Sequence, residues 1–154
     1  MDDSISVVEA TNVDDELIAA MGSLVRQLST SASAPTVEEV REIIESPCTT
    51  LLVARDCSTT GRIIGMLTLV VFRIPTGVRA WIEDVAVDVA ARRKGVGEAL
   101  SREALRVALA HGARTVELSS RPSREAANRL YQRLGFVPRD TNVYRYVVKR
   151  EQPG

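Results

Sequence analysis

The stretch from Trp81 to Leu100, WIEDVAVDVAARRKGVGEAL, constrains this chain more than any other. It opens as a strand carrying two acids, Glu83 and Asp84. It then turns through a basic loop closed by Gly95 and Gly97 and runs straight into a helix. A strand, a glycine-rich turn and a helix start together form an anion-binding device. The first N–H groups of a helix lack intrahelical partners, and the helix dipole adds about half a positive charge there. Glycine lets backbone approach a ligand without a side chain between them. Phosphate binding and acid–base chemistry are therefore expected side by side. On local grounds an ordinary strand-to-helix turn with solvated Arg92, Arg93 and Lys94 explains the pattern as well, because short glycine patterns are weak signals. The missing third glycine and the residues from Asp88 to Ala91 that separate strand from glycines argue against a dinucleotide fingerprint. A Walker loop is excluded because the lysine precedes the first glycine.

The surrounding chain reads as one domain, residues 1–150, with a frayed tail at 151–154; 154 residues suffice for one substantial core. Formal net charge is zero, which argues against a nucleic-acid or membrane-surface binder. The N-terminal residues lack the pattern of a signal peptide, and no apolar run approaches the roughly 18 residues of a membrane span. A cytoplasmic protein with reduced Cys48 and Cys57 is the resulting expectation. A single histidine and two scattered cysteines give a metal site little support.

In order, Ser4 to Glu9 reads as a strand. Asn12 or Asp14 caps a helix to about Leu28, with Leu17, Ala20, Met21, Leu24 and Leu28 on one face. After a polar loop, Thr36 with Glu39 forms a capping box for a second helix striped by Val37, Val40, Ile43 and Ile44. Strands follow at Thr50–Arg55, Arg62–Phe72 and Ala80–Val87. A helix spans Gly97 to Ala113, ending near His111 and Gly112. Thr115–Ser120 is a fifth strand, parallel to the fourth because a helix joins them. A last helix starts at Pro122 and Ser123, buries Ala127, Leu130, Tyr131 and Leu134, and closes at Gly135 with Phe136 placed for a Schellman contact. Phe136–Arg139 and Val143–Lys149 are expected to close the fold as a hairpin. The order β-α-α-β-β-β-α-β-α-β-β predicts an α+β, or mixed α/β, fold of about seven mostly antiparallel strands and four helices.

Two motifs, taken together, carry a resemblance. Arg92-x-x-Gly95-x-Gly97 follows the fourth strand, and Ala127 to Phe136 gives Ala-x-x-Leu-Tyr-x-x-x-Gly-Phe. The chain resembles the GNAT superfamily of acetyl-CoA-dependent N-acetyltransferases, in both motifs and in element order along nearly its whole length. Many members carry Asn where this chain has Arg124, a residue that would instead meet a coenzyme phosphate.

The resemblance implies acetyl-CoA as co-substrate, with its pyrophosphate on Arg92, Arg93, Lys94, Gly95, Val96, Gly97 and Glu98. The pantetheine arm would lie along Val85, Ala86 and Val87, in a gap where the fourth strand splays from the fifth. It implies Tyr131 as proton donor to the departing thiolate.

The acceptor amine must lose a proton, since near a pKa of about 10 only roughly one molecule in a thousand is neutral at pH 7. Glu83 or Asp84 is the candidate base. Only one is expected to face the cleft, and Glu83 is favoured as sharing a face with Val85 and Val87. The alternative is that both acids pair with Arg73 or Arg79. Ile82 to Val87 also looks like the fourth strand of glucosamine-6-phosphate N-acetyltransferases. The acceptor itself, an amine-bearing small molecule or peptide, is not legible in the mixture of charges elsewhere.

The activity expected is acetyl transfer to a primary amine by direct attack in a ternary complex. The competing expectation is a non-catalytic acyl-CoA-binding or regulatory module. An interaction domain using Leu105 and Leu109 is a third. Homodimers are common among proteins of this resemblance.

Overall fold

In the computed structural model, which describes residues 4–150, the chain divides into two compact units, one reaching Arg121 and the other starting at Pro122. The first unit holds a five-stranded sheet in the order β1-β2-β3-β4-β5: β1 (Ile5–Glu9), β2 (Thr49–Asp56), β3 (Ile63–Ile74), β4 (Gly77–Val87) and β5 (Thr115–Glu117). Its helices are α1 (Asp15–Leu28), α2 (Val37–Glu45) and α3 (Val96–Ala110). β1 to β4 are antiparallel neighbours, and β5 lies parallel to β4.

Local chemistry places the helices. Asp14 accepts from the Leu17 N–H at 2.8 Å and caps α1. Thr36 and Glu39 form the full capping box of α2, each side chain accepting from the other residue's backbone N–H. The sheet is covered on both faces. Leu17, Met21 and Leu24 of α1 and Val40 of α2 pack with Leu51, Val53, Met66 and Ala86 on one face. On the other lies α3, whose Val96 and Leu100 approach β3 at Gly65 and whose Ala104 and Ala108 are fully buried. Arg55 on β2 donates to both carboxylate oxygens of Glu16, at 2.8 and 3.1 Å, and fastens α1 to the sheet.

Gly65 is what lets α3 come this close. A Cβ there would stand 2.8 Å from Val96 Cγ1, 3.1 Å from Leu100 Cδ1 and 3.2 Å from the Ala86 carbonyl oxygen. Such contacts are shorter than packed carbon atoms allow.

The second unit contains α4 (Glu125–Arg133). It ends in a Schellman motif: Phe136 N–H donates to Tyr131 O and Gly135 N–H to Gln132 O, both at 3.0 Å, with Gly135 at φ +98°. The Phe136 ring packs edge-on against Tyr131, centroids 5.7 Å apart.

Three expectations about elements are corrected: the number of strands, the end of β5 and the start of α4. The fold is mixed α+β, but the described residues form five strands rather than seven. Residues 137–150 form no strand, and Val143, Tyr144, Tyr146, Val147 and Val148 are exposed. Pro138 removes a donor from the first expected arm. The Asp140-Thr141-Asn142 connection also lacks the glycine that favours a tight hairpin. β5 stops at Glu117 rather than Ser120, and α4 begins at Glu125 rather than at Pro122. The tail at 151–154 lies outside the described residues.

Candidate coenzyme and catalytic site

β4 carries the first part of the site. β3 and β4 pair regularly from Ile74↔Gly77 to Thr68↔Glu83, then slip, so that pairing resumes at Met66↔Ala86. Asp84 and Val85 therefore stand against the single residue Leu67, a β-bulge with Asp84 at φ +50°. A non-glycine residue in the left-handed region costs about 1–2 kcal/mol, so surrounding structure must hold it.

The bulge reverses which side chains share a face. Met66 and Thr68 lie on one face of β3, so Glu83 and Ala86 lie there too. Val87 pairs with Gly65 and faces α3 instead. The expectation that Glu83 shares a face with Val87 is thus corrected: the period-2 rule fails across an inserted residue. Glu83 and Asp84 are both exposed, and neither forms an ion pair among the described residues, with Arg73, Arg79 or any other cation. Glu83 accepts instead from the Trp81 indole N–H at 2.7 Å.

The other edge of β4 is open. β5 pairs with it only from Arg79↔Thr115 to Trp81↔Glu117. From Ile82 to Val87, no strand among the described residues pairs with that edge.

The loop beyond is held from several sides. Asp88 N–H donates to the Ile64 carbonyl at 2.8 Å, and the Asp88 carboxylate caps the short turn Val89–Ala91 by accepting from Ala90 N–H at 2.9 Å. Gln27, near the end of α1, accepts from Val89 N–H at 2.8 Å. Arg93 at φ +64° and Gly95 at φ +79° then turn the backbone into α3. Left-handed residues in such a turn aim successive N–H groups into a concavity that suits an anion.

Gly95 is the N-cap of α3 and offers no side chain to its N–H groups. Arg92, Arg93 and Lys94 are exposed and make no ion pair among the described residues. Val96 is buried against β3, anchoring the first turn. Gly97 and Glu98 are half-buried beside it, and Glu98 accepts from Arg102. This constellation fits a phosphate-bearing polyanion.

In the second unit, Tyr131 is buried on α4, while Arg124 is exposed at its N-cap. Burial pushes the Tyr131 phenol above its usual range, and the positive charge of Arg124 opposes that shift. The phenol therefore holds its proton at neutral pH. Among the described residues, no cluster of His, Cys, Asp or Glu could hold a metal ion, and no helix is long and apolar enough to cross a membrane. Cys48 and Cys57 are exposed free thiols.

Three residues at the site escaped the sequence. Gly65 left a signal, since glycine inside an apolar strand marks a close approach. Trp81 stands at same-face spacing from Glu83 and was findable. Gln27 left none, because its partner lies 62 positions away.

Comparison with solved structures places this architecture in a large group. The chain is 19% identical to an aminoglycoside acetyltransferase from an uncultured soil metagenomic sample, with a TM-score of 0.83 over 97% of this chain and 99% of that one. It is 20% identical to glucosamine-6-phosphate N-acetyltransferase from Arabidopsis thaliana, with a TM-score of 0.74 over 92% and 97% of the two chains. A transcriptional regulator from Bacillus halodurans C-125 is 28% identical, with a TM-score of 0.72 over 93% and 99%. No curated protein matches the sequence. Residues 14–136, which include both β4 with its loop and the Tyr131–Phe136 helix end, match the family model of the acetyltransferase (GNAT) family, and the chain belongs to that family.

Proposed function

We propose that this protein is an acetyl-CoA-dependent N-acetyltransferase that moves an acetyl group to a primary amine in a ternary complex. The observation that carries this reading is the pairing of a free β4 edge, from Ile82 to Val87, with the uncapped α3 N-terminus at Gly95. An extended amide-bearing arm needs the first, and a pyrophosphate needs the second. Val85, Ala86 and Val87 would run beside the arm. Backbone N–H groups of Arg93 to Glu98, with the cations of Arg92, Arg93 and Lys94, would hold the phosphates, and Arg124 would add a further cation.

The chemistry then follows from the residues. The amine gives up a proton to Glu83 or Asp84, directly or through water. Its nitrogen attacks the thioester carbonyl, a C–N bond forms and the C–S bond breaks. A backbone N–H at the bulge, at Val85, stabilises the oxyanion. Tyr131, kept protonated by burial, donates to the thiolate. No covalent enzyme intermediate is needed.

A thiol-release assay with acetyl-CoA against amines, amino sugars and peptides tests this reading. Glu83→Gln, or Asp84→Asn if that acid is the base, should lower kcat by about 10²–10⁴-fold, the usual worth of a positioned base. Absence of both a thermal shift and binding heat with acetyl-CoA would sink the coenzyme assignment.

A second reading rests on the likeness to the Bacillus halodurans regulator, the most identical of the three structures named. It is a module that binds acyl-CoA without turnover. It gains if acetyl-CoA binds, no amine releases thiol, and Tyr131→Phe and Glu83→Gln change nothing.

A further inference from the structure

β3 and β4 bury one face and leave part of the other open. On the buried side, Leu69, Ala80 and Ile82 are 0%, 1% and 3% exposed. On the open side, Thr68 stands opposite Glu83, Val70 opposite Trp81 and Phe72 opposite Arg79. Thr68, Val70, Phe72 and Trp81 are half-buried, and Glu83 and Arg79 are exposed. Trp81 and Glu83 are two residues apart on one strand, so both leave the sheet on this face. The indole N–H fixes one carboxylate oxygen, Oε1, at 2.7 Å. The carboxylate forms no ion pair among the described residues.

We propose that this face is the acceptor platform, and that it selects a cationic amine borne on an apolar or ring-shaped body. Trp81 has two parts in it. It positions Glu83 through the indole N–H, and it offers the ring against which the body of the acceptor packs. An ammonium group suits the site doubly. A carboxylate without a counter-ion attracts it with a charge-assisted hydrogen bond, and an adjacent indole attracts a cation through its π face. Val70 and Phe72 supply an apolar floor that a bare, small amine would not use. This inference deepens the acetyltransferase reading above and rests on it for the fate of the bound amine.

Trp81 is the protein's one tryptophan, so its emission reports on this face alone. The experiment titrates the full chain with benzylamine, and with benzyl alcohol as the uncharged counterpart, in saturating coenzyme A. Benzylamine should change the emission saturably, and benzyl alcohol should bind at least about tenfold more weakly. Glu83→Gln should weaken benzylamine about tenfold. Calorimetry on Trp81→Phe, which keeps a ring but loses the donor, should show benzylamine affinity down about fivefold, with the melting temperature and acetyl-CoA affinity unchanged.

Equal responses to the amine and the alcohol, or no saturable change, would overturn the platform. So would full benzylamine affinity in both variants. Acetyl-CoA calorimetry on the same sample separates the two ideas. If the coenzyme binds and the tryptophan is silent to amines, the platform alone fails. If amines bind and acetyl-CoA does not, the acetyltransferase reading fails and the amine site stands.

Discussion

Replacing Gly65 by alanine tests whether α3 and the glycine-rich loop that leads into it are positioned by a missing side chain. The new Cβ would lie 2.8 Å from Val96 Cγ1 and 3.2 Å from the backbone oxygen of Ala86. The carbonyl belongs to the sheet and cannot retreat without breaking the β3–β4 ladder, so Val96 must move. Inserting a carbon into a packed interior costs about 1–3 kcal/mol. Alanine recovers about 0.5–1 kcal/mol over glycine within a strand. The balance is a loss of about 1 kcal/mol, or about 2–4 °C in Tm for a chain of this size. Valine at the same place adds two methyls against Val96 and Leu100, bringing the loss to about 3 kcal/mol.

The assay is urea unfolding of Gly65→Ala, Val96→Ala and the double variant. Val96→Ala removes the atom in the way, so the double variant should be more stable than the sum of the single losses, with a coupling of about 0.5 kcal/mol or more. Because Val96 adjoins Gly95, Gly65→Ala should also weaken acetyl-CoA binding. Full wild-type stability in Gly65→Ala, or strictly additive losses, would refute the close-approach argument.

Two further predictions concern local features. Tyr131 is held protonated by burial, so the folded chain binds that proton more tightly than the unfolded chain does. The resulting stability is complete below pH of about 10, the unfolded phenol's range, and is lost as pH rises beyond it. Melting curves between pH 8 and 11 should show a decline that Tyr131→Phe flattens, and an equal slope in both proteins would contradict it. Thr36→Ala removes half of the capping box and should cost about 1 kcal/mol in urea unfolding, with the Glu39 bond to the Thr36 N–H left in place.

The helices were legible because their signals are short. Asp14, Thr36 with Glu39, and Gly135 with Phe136 each act within a few residues, and each forms the bond its spacing implies. The loop of Arg92 to Gly97 was legible for the same reason. The acids of β4 were legible as a pair, but not in their facing. Alternation assigns sides only while a strand stays regular, and nothing between Ile82 and Val87 announces the bulge at Asp84. The C-terminal hairpin that the sequence suggests does not form among the described residues. Val143 to Val148 has strong β propensity, yet propensity records how well a side chain suits a half-buried pleated surface, and here these side chains are exposed.

The sequence by itself therefore determined the order of the elements from β1 to α4, the caps of α1 and α2, and the glycine-rich loop and helix end that together mark the family. Tertiary structure decided the rest of the site. It set the slip that puts Glu83 on the open face and Val87 under α3, and the point at Trp81 where β5 leaves the β4 edge. It also brought Gln27 to the Val89 N–H and α3 onto Gly65. Each of these depends on the register or approach of segments far apart in the chain. A local signal reaches about one helical turn, whereas these contacts exist only once the sheet has assembled and the helices have closed over it.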